Sequence, residues 1–414
     1  MTFPYTLRAL NHRNFQLYMT GQSISLIGTW MQRMAVSWLV YQLTHSAFML
    51  GLVAFAGLIP MLILSPYAGA YVDRHSRYKT LLATQIASMI QAGLLAFVVL
   101  INHYNIAIIT ILSIMLGVIN AFDSPGRQSL MIVMVNDKND LQNAIALNST
   151  MVTLARMIGP AVAGILLSTV GEGICFLINF LSFGAVIYSV LAMKLKIPPS
   201  AKNEEPIWMN LVEGYRYLKR SPALRSVILL MALVSLMVTP YTTLFPIFAK
   251  EIFKGDVTTF SWLNSVSGFG ALLGAIYLAQ LKTSKKLLKV ITIAVLLLSV
   301  NLALFSFTTL FPLALFFIML TEVGMLTLIS ATNSYIQINV EERMRGRVLS
   351  YFIMAFAGMQ PFGNLIVGSL AHIAGVQFTV LMQGVAGFIT ILFFIPAFKK
   401  TYQRAYRKEK KSGI

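Results

Sequence analysis

Gly69-Ala70-Tyr71-Val72-Asp73-Arg74-His75-Ser76-Arg77-Tyr78-Lys79 closes one long apolar run and leads into the next. The run before it is longer than a bilayer crossing and ends at Tyr71 or Val72, and the run after it begins at Thr80. Four charges, three of them positive, fall between Asp73 and Lys79. Two apolar stretches joined this tightly read as membrane helices that turn back on each other through a charged hinge.

The composition agrees with that reading. The chain has 414 residues, 57% of them hydrophobic and 11% charged, with a mean hydropathy of +0.74. A soluble protein of this length carries roughly 25% charged residues, so most of this surface must face lipid. The net charge of +18 does not point to nucleic acid, because the basic residues sit at the ends of apolar runs rather than on a domain of their own. Cys175 is the only cysteine, which excludes an intrachain disulfide. The first apolar run begins near Phe15, is too long for the core of a signal peptide and leads into further spans, so no cleaved leader is expected.

Twelve spans are expected: 15–41, 47–71, 80–101, 106–134, 141–168, 173–193, 223–248, 259–281, 287–308, 311–337, 347–371 and 377–397. With both termini in the cytoplasm, 27 of the 32 Lys and Arg residues are cytoplasmic. Two, Lys250 and Lys254, are external, and three lie within spans. That asymmetry sets the orientation, with a cytoplasmic membrane as the expected location. The longest polar segment, 194–222, ends in an amphipathic pattern of Trp208, Leu211, Val212, Tyr215 and Leu218, an interfacial helix. The expected domains are therefore a first bundle (1–193), this linker (194–222), a second bundle (223–398) and a basic tail (399–414). A shift of 204 residues sets Gly159 on Gly363, Gly164 on Gly368 and Arg156 on Gln360, as in a diverged duplication.

Five ionisable residues lie inside spans, each costing at least ~2.5 kcal/mol on insertion scales and each a candidate for function. Asp123 and Arg127 are four apart in Asp-Ser-Pro-Gly-Arg, on one helix face, as an ion pair that positions the helix or as a proton site. Glu322 lies near the middle of its span and is the candidate for proton coupling or substrate contact, or else a static partner for an arginine. Arg33, with Trp30, Gln32 and Trp38 nearby, could hold a partly apolar anion, could snorkel, or could pair with Glu322. Arg156 is read the same way, with a structural pair as the alternative, and Gln360 is its counterpart in the second half. Gly159, Pro160 and Gly164 place small residues and a bend on one helix face. There is no phosphate-binding loop, zinc signature, paired-cysteine motif or nucleophile elbow, and no enzyme activity, metal or cofactor is expected.

Gly69-x-x-x-Asp73-Arg74-x-x-Arg77-x-Lys79 resembles motif A of the major facilitator superfamily, in its usual place between spans two and three. The chain further resembles the branch of bacterial exporters that includes the enterobactin exporter and multidrug efflux proteins. The segments 28–41, 143–164 and 345–348 carry this closer likeness. The resemblance implies an all-α integral membrane protein with twelve transmembrane helices in two pseudo-symmetric six-helix bundles. It also implies a conformational latch of Gly69, Asp73, Arg74, Arg77, Asp123 and Arg127, and a motif C at Ala155–Gly164 in which Ala155 and Ala163 replace the usual glycines. The second copy of motif A, at Lys282-Thr-Ser-Lys285-Lys286, lacks the acidic residue.

The expected activity is secondary active export of a small amphipathic organic compound, siderophore or drug-like, by a monomer using protons. The alternative is an importer or a lysophospholipid flippase of the same fold. Asp73→Asn is expected to impair transport cycling while membrane insertion stays intact. Normal transport by that variant would remove the latch from the hinge.

Overall fold

The computed structural model describes residues 5–135, 138–195, 207–280 and 287–412. Among them the chain is helical throughout, with no strand. The helices are α1 (Arg13–Thr44), α2 (Ala47–Arg74), α3 (Arg77–Leu100), α4 (Ile106–Met134), α5 (Lys138–Thr169), α6 (Gly171–Ala192), α7 (Ile207–Arg220), α8 (Pro222–Met237), α9 (Phe245–Ile247), α10 (Val257–Ala279), α11 (Leu287–Phe307), α12 (Phe311–Asn339), α13 (Glu342–Ala357), α14 (Gln360–Ala374) and α15 (Val376–Ser412).

Eleven helical segments are long and apolar enough to cross a bilayer. α1 is the twelfth pass by length, at 32 residues, or ~48 Å. Gln22, Ser25 and Gln32 dilute its hydropathy, and all three are buried against protein rather than lipid. Two passes are interrupted. α8 gives way at Val238 to a 3-10 turn (Thr239–Leu244), the short α9 and a π turn (Phe248–Ile252). Pro240 and Pro246 explain the break, since neither can donate a helix hydrogen bond. α13 ends at Ala357 and α14 starts at Gln360, with Pro361 in its first turn. The expected continuous span 223–248 is α8 followed by these shorter helical turns, and 347–371 is two helices, α13 and α14.

The hinge is only two residues long. α2 runs through Arg74, and Ser76 caps α3 by accepting from the Lys79 N–H at 3.4 Å. The His75 ring stacks on Tyr71 with centroids 4.0 Å apart. At the other end of the bundle, His45 closes α1 in the left-handed region (φ 45°) and Ser46 caps α2.

The chain falls into two compact units, Met1–Glu204 with Phe245–Gly268, and Glu205–Leu244 with Phe269–Ile414. In the first, α1 packs on α5 and α6, α2 on α4, and α3 on α4 and α6. A buried amide chain joins four of these helices. Ser182 Oγ donates to Asn179 Oδ1 (3.1 Å), Asn179 Nδ2 to Gln32 Oε1 (2.7 Å), Gln32 Nε2 to Gln91 Oε1 (2.9 Å) and Gln91 Nε2 to the Leu112 carbonyl (3.1 Å). In the second unit α11 packs on α12 and α15, and α8 on α13 and α15. Gln383 on α15 donates to the carbonyls of Met237 (3.0 Å) and Val238 (3.3 Å) at the break in α8, where the Tyr241 N–H also donates to Val238 at 3.3 Å.

The 204-residue offset holds in this packing. Gly159 on α5 lies against Ile27 and Trp30 of α1, and Gly363 on α14 lies against Leu236 at the end of α8 and Pro240 just beyond it. The same offset sets Asn179 on Gln383, each tying the last helix of its half to the first. Asn179→Leu is expected to strand the buried Gln32 carbonyl oxygen at a cost of ~1–3 kcal/mol. The measurement is the thermal midpoint of the purified protein in detergent, and an unchanged midpoint would mean that the amide chain adds no stability.

Candidate substrate and coupling sites

Unit 1 gathers three of the candidate residues around one indole. Arg33 Cζ lies 4.9 Å from the centroid of the Trp30 ring and Arg156 Cζ lies 5.9 Å from it. Both are within the ~6 Å reach of cation–π attraction. Arg33 is exposed, while Trp30 and Arg156 are half-buried. The cluster exists because α5 comes very close to α1. A Cβ on Gly159 would lie 2.5 Å from Trp30 Cβ and 3.0 Å from the Ile27 carbonyl oxygen, so only glycine fits. Pro160, next along, supplies no N–H for the Arg156 carbonyl. Gly268 on α10 lets that helix approach the same carbonyl, where its own Cβ would lie 2.9 Å away. Arg156 Nη2 donates to Ser267 Oγ at 3.5 Å, and Ser261 Oγ donates to the Pro160 carbonyl at 2.7 Å. Gly164 faces Ser261.

Gln32 and Trp38 are placed differently. Both ends of the Gln32 amide are engaged in the chain described above. Trp38 is buried and stacks on Phe260, with centroids 5.6 Å apart. With the Gln42 amide oriented to satisfy both neighbours, Trp38 Nε1 donates to it at 2.8 Å and it donates to Glu172 at 3.0 Å. Close by, Tyr41 Oη donates to Glu251 Oε1 at 2.7 Å.

Asp123 is buried, at 2% exposure. Its Oδ1 accepts from Thr84 Oγ1 (2.9 Å) and Gln85 Nε2 (2.6 Å), and Oδ2 pairs with Arg127. Tyr18 Oη donates to Asn148 on α5 at 3.0 Å. Thr84 and Gln85 carry no sequence signal, since either would pass for a packing residue of α3. Of the hinge residues, Arg74 and Lys79 are exposed and Arg77 is half-buried. A Cβ on Gly69 would meet open space. The Asp73 side chain lies outside the described residues.

In unit 2, Glu322 is buried on α12 and its Oε1 accepts from Tyr241 Oη at 2.8 Å. Tyr241 sits in the turn that interrupts α8. Thr243, from the same turn, donates to Asn364 on α14 at 2.9 Å. Gln360 is the first residue of α14 and half-buried. Sequence reading finds Glu322 but not Tyr241, which looks like any apolar-run tyrosine until the prolines on either side of it are read as a break. Among the described residues, no cluster of His, Cys, Asp and Glu is placed to hold a metal ion.

Residues 5–409 match the family described as transmembrane secretion effectors. The chain belongs to this family of major facilitator transporters. It is 25% identical over 384 residues to the staphyloferrin A transporter of Staphylococcus aureus, covering 91% of this chain and 94% of that one. It is 23% identical over 379 residues to macrolide efflux protein A of Streptococcus pyogenes, covering 89% and 92%. With the multidrug efflux pump Tap of Mycolicibacterium fortuitum it shares 24% identity over 362 residues, covering 84% and 86%. A solved bacterial homologue of the human lysosomal transporter Spinster superimposes with a TM-score of 0.72 at 14% identity, covering 96% of this chain and 98% of that one. The nucleoside transporter NupG gives a TM-score of 0.69 at 14% identity, covering 94% and 99%. The fold is that of the major facilitator transporters, and like them this family member is a transporter and not an enzyme.

Gly159→Ala is expected to force α1 and α5 apart at Trp30, at ~1–3 kcal/mol, with faster amide exchange over residues 26–34 and 155–163. Gly69→Ala is the control and should change neither the melting midpoint nor the exchange. Equal behaviour of the two variants would show that the close approach at Gly159 is not needed.

Proposed function

We propose that this transporter exports a small, amphipathic, anionic organic compound across the bacterial inner membrane, as a monomer and driven by protons. The observation that carries the substrate class is the Trp30 indole flanked by Arg33 and Arg156. An aromatic face with two guanidinium groups attracts a ligand that brings both negative charge and apolar surface. A siderophore or drug-like acid has that chemistry, and a relative named for a siderophore and others named for drug efflux support it.

Proton coupling is assigned to Glu322. It is a buried carboxyl held by a tyrosine hydroxyl, in the unit that does not hold the charged hinge. Asp123, with a guanidinium, an amide and a hydroxyl on its two oxygens, is given the structural part. The hinge residues Gly69, Asp73, Arg74 and Arg77, with Asp123 and Arg127, are proposed to act as the latch of the conformational cycle. Trp38, Gln32 and Gln360 are proposed to line or position the substrate path.

The test is transport in proteoliposomes with an imposed pH gradient and a panel of siderophores, organic acids and drugs. Trp30→Ala and Arg33→Ala are each expected to raise the KM for an anionic substrate by ~10-fold, the equivalent of a desolvated cation–π contact. Glu322→Gln is expected to bind substrate but lose gradient-driven accumulation. An unchanged KM for anionic substrates in Arg33→Ala would remove the anion assignment. Gradient-driven transport by Glu322→Gln would remove that residue from coupling.

A further inference from the structure

The linker helix α7 is fastened to both interrupted passes of unit 2. Arg347 on α13 pairs with Glu213 of α7. Tyr351 Oη, also on α13, donates to the Leu211 carbonyl at 2.9 Å. A Cβ on Gly214 would lie 3.0 Å from the Tyr351 ring, so the two helices touch closely there. A single residue, Ser221, separates α7 from α8. α13 leads to the break before Gln360 and α8 to the break at Val238, so a displacement of α7 pulls on both.

The side of α7 away from Leu211, Gly214 and Leu218 carries Met209, Arg216 and Arg220, with Lys219 at its edge and Glu213 beside Arg220, while Tyr215 falls next to Leu211. Arg216, Lys219, Arg220 and Arg225 at the start of α8 are exposed. Met209 is 55% exposed and Tyr215 is 59% exposed. The acidic residue of this stretch, Glu213, is taken up by Arg347. Basic flanks are ordinary next to membrane helices, but an ordinary flank is not pinned to two interrupted passes while presenting three cations and an exposed methionine outward, with a fourth cation at the start of α8.

We propose that this outer face of α7 binds anionic phospholipid headgroups of the surrounding bilayer, and that the bound surface holds α7, and through it α13, in place. Lys and Arg supply the charge complementarity, and Met209 supplies apolar contact beside them.

The test is amide exchange on the full chain in nanodiscs of phosphatidylcholine alone and of phosphatidylcholine with phosphatidylglycerol. Phosphatidylglycerol should slow exchange over residues 207–220 and 342–357 by ~5-fold or more, the effect of one basic residue at an anionic surface. The variant Arg216→Gln/Lys219→Gln/Arg220→Gln should exchange alike in both lipids. Glu213→Gln should keep the slowing over 207–220 and lose it over 342–357. High salt on the unsubstituted chain should remove the lipid effect without any mutation. Equal exchange of the unsubstituted chain in both lipids would overturn the proposal, as would a triple variant that still responds. Slowing by polyglutamate in phosphatidylcholine discs, with no response to phosphatidylglycerol, would assign the face to an acidic soluble partner and would also overturn it.

Discussion

Hydrocarbon offers no hydrogen bonds, so each polar atom carried into the membrane must find its partner on another helix or in an enclosed cavity. The interior of this protein follows from that constraint. Asp123 is tolerable at 2% exposure because α3 brings a hydroxyl and an amide to one oxygen and α4 brings a guanidinium to the other. Gln32 is tolerable because Asn179 and Gln91 meet its two ends. Each solution crosses between helices, so each also fixes how those helices are rotated. The polar atoms are few, but they decide the orientation of a bundle whose apolar surfaces could slide past one another at little cost.

Close backbone approach then sets which charged groups meet. α5 can lie against α1 at Gly159 because there is no side chain there, and Trp30 comes within reach of Arg156 as a result. The Arg156 carbonyl, deprived of a helix donor by Pro160, lies where Gly268 allows a third helix in. A local feature of three residues thus places an arginine from one helix and another from a second helix on the same ring. The repeat of this arrangement at Gly363, against Leu236 and Pro240, gives the second unit the same crossing with different chemistry. There the neighbour is a broken helix rather than an indole.

The parts of the fold that were legible in the sequence are those governed by the bilayer. Apolar length gave the passes, and Asp73 to Lys79 marked a turn that is two residues long in the structure. The four-residue spacing of Asp123 and Arg127 is likewise visible in one dimension. Thr84 and Gln85 are not, because they lie on another helix, some forty residues away, and differ in no respect from residues that merely pack. The interruption at Val238 was hidden because hydropathy averaged over a whole span stays high despite the dip from Thr239 to Thr243. The proline pair was the available signal. α1 was legible as a pass only because an apolar run with tolerated polar residues was allowed to count, and its glutamines turned out to face protein.

The two units answer the same constraint with unequal stiffness. In unit 1 the buried carboxylate sits among continuous helices and has partners on both oxygens. In unit 2 Glu322 accepts from Tyr241, which belongs to the turn that breaks α8. At that break the Met237 and Val238 carbonyls accept from the Gln383 side chain, and Val238 also from the Tyr241 N–H of the turn. A hydroxyl donates well to a carboxylate, and the Tyr241 contact joins those of Thr243 with Asn364 and of Gln383 in fixing the turn. No comparable link joins Asp123 to a break in the backbone, because Pro125 leaves α4 continuous from Ile106 to Met134.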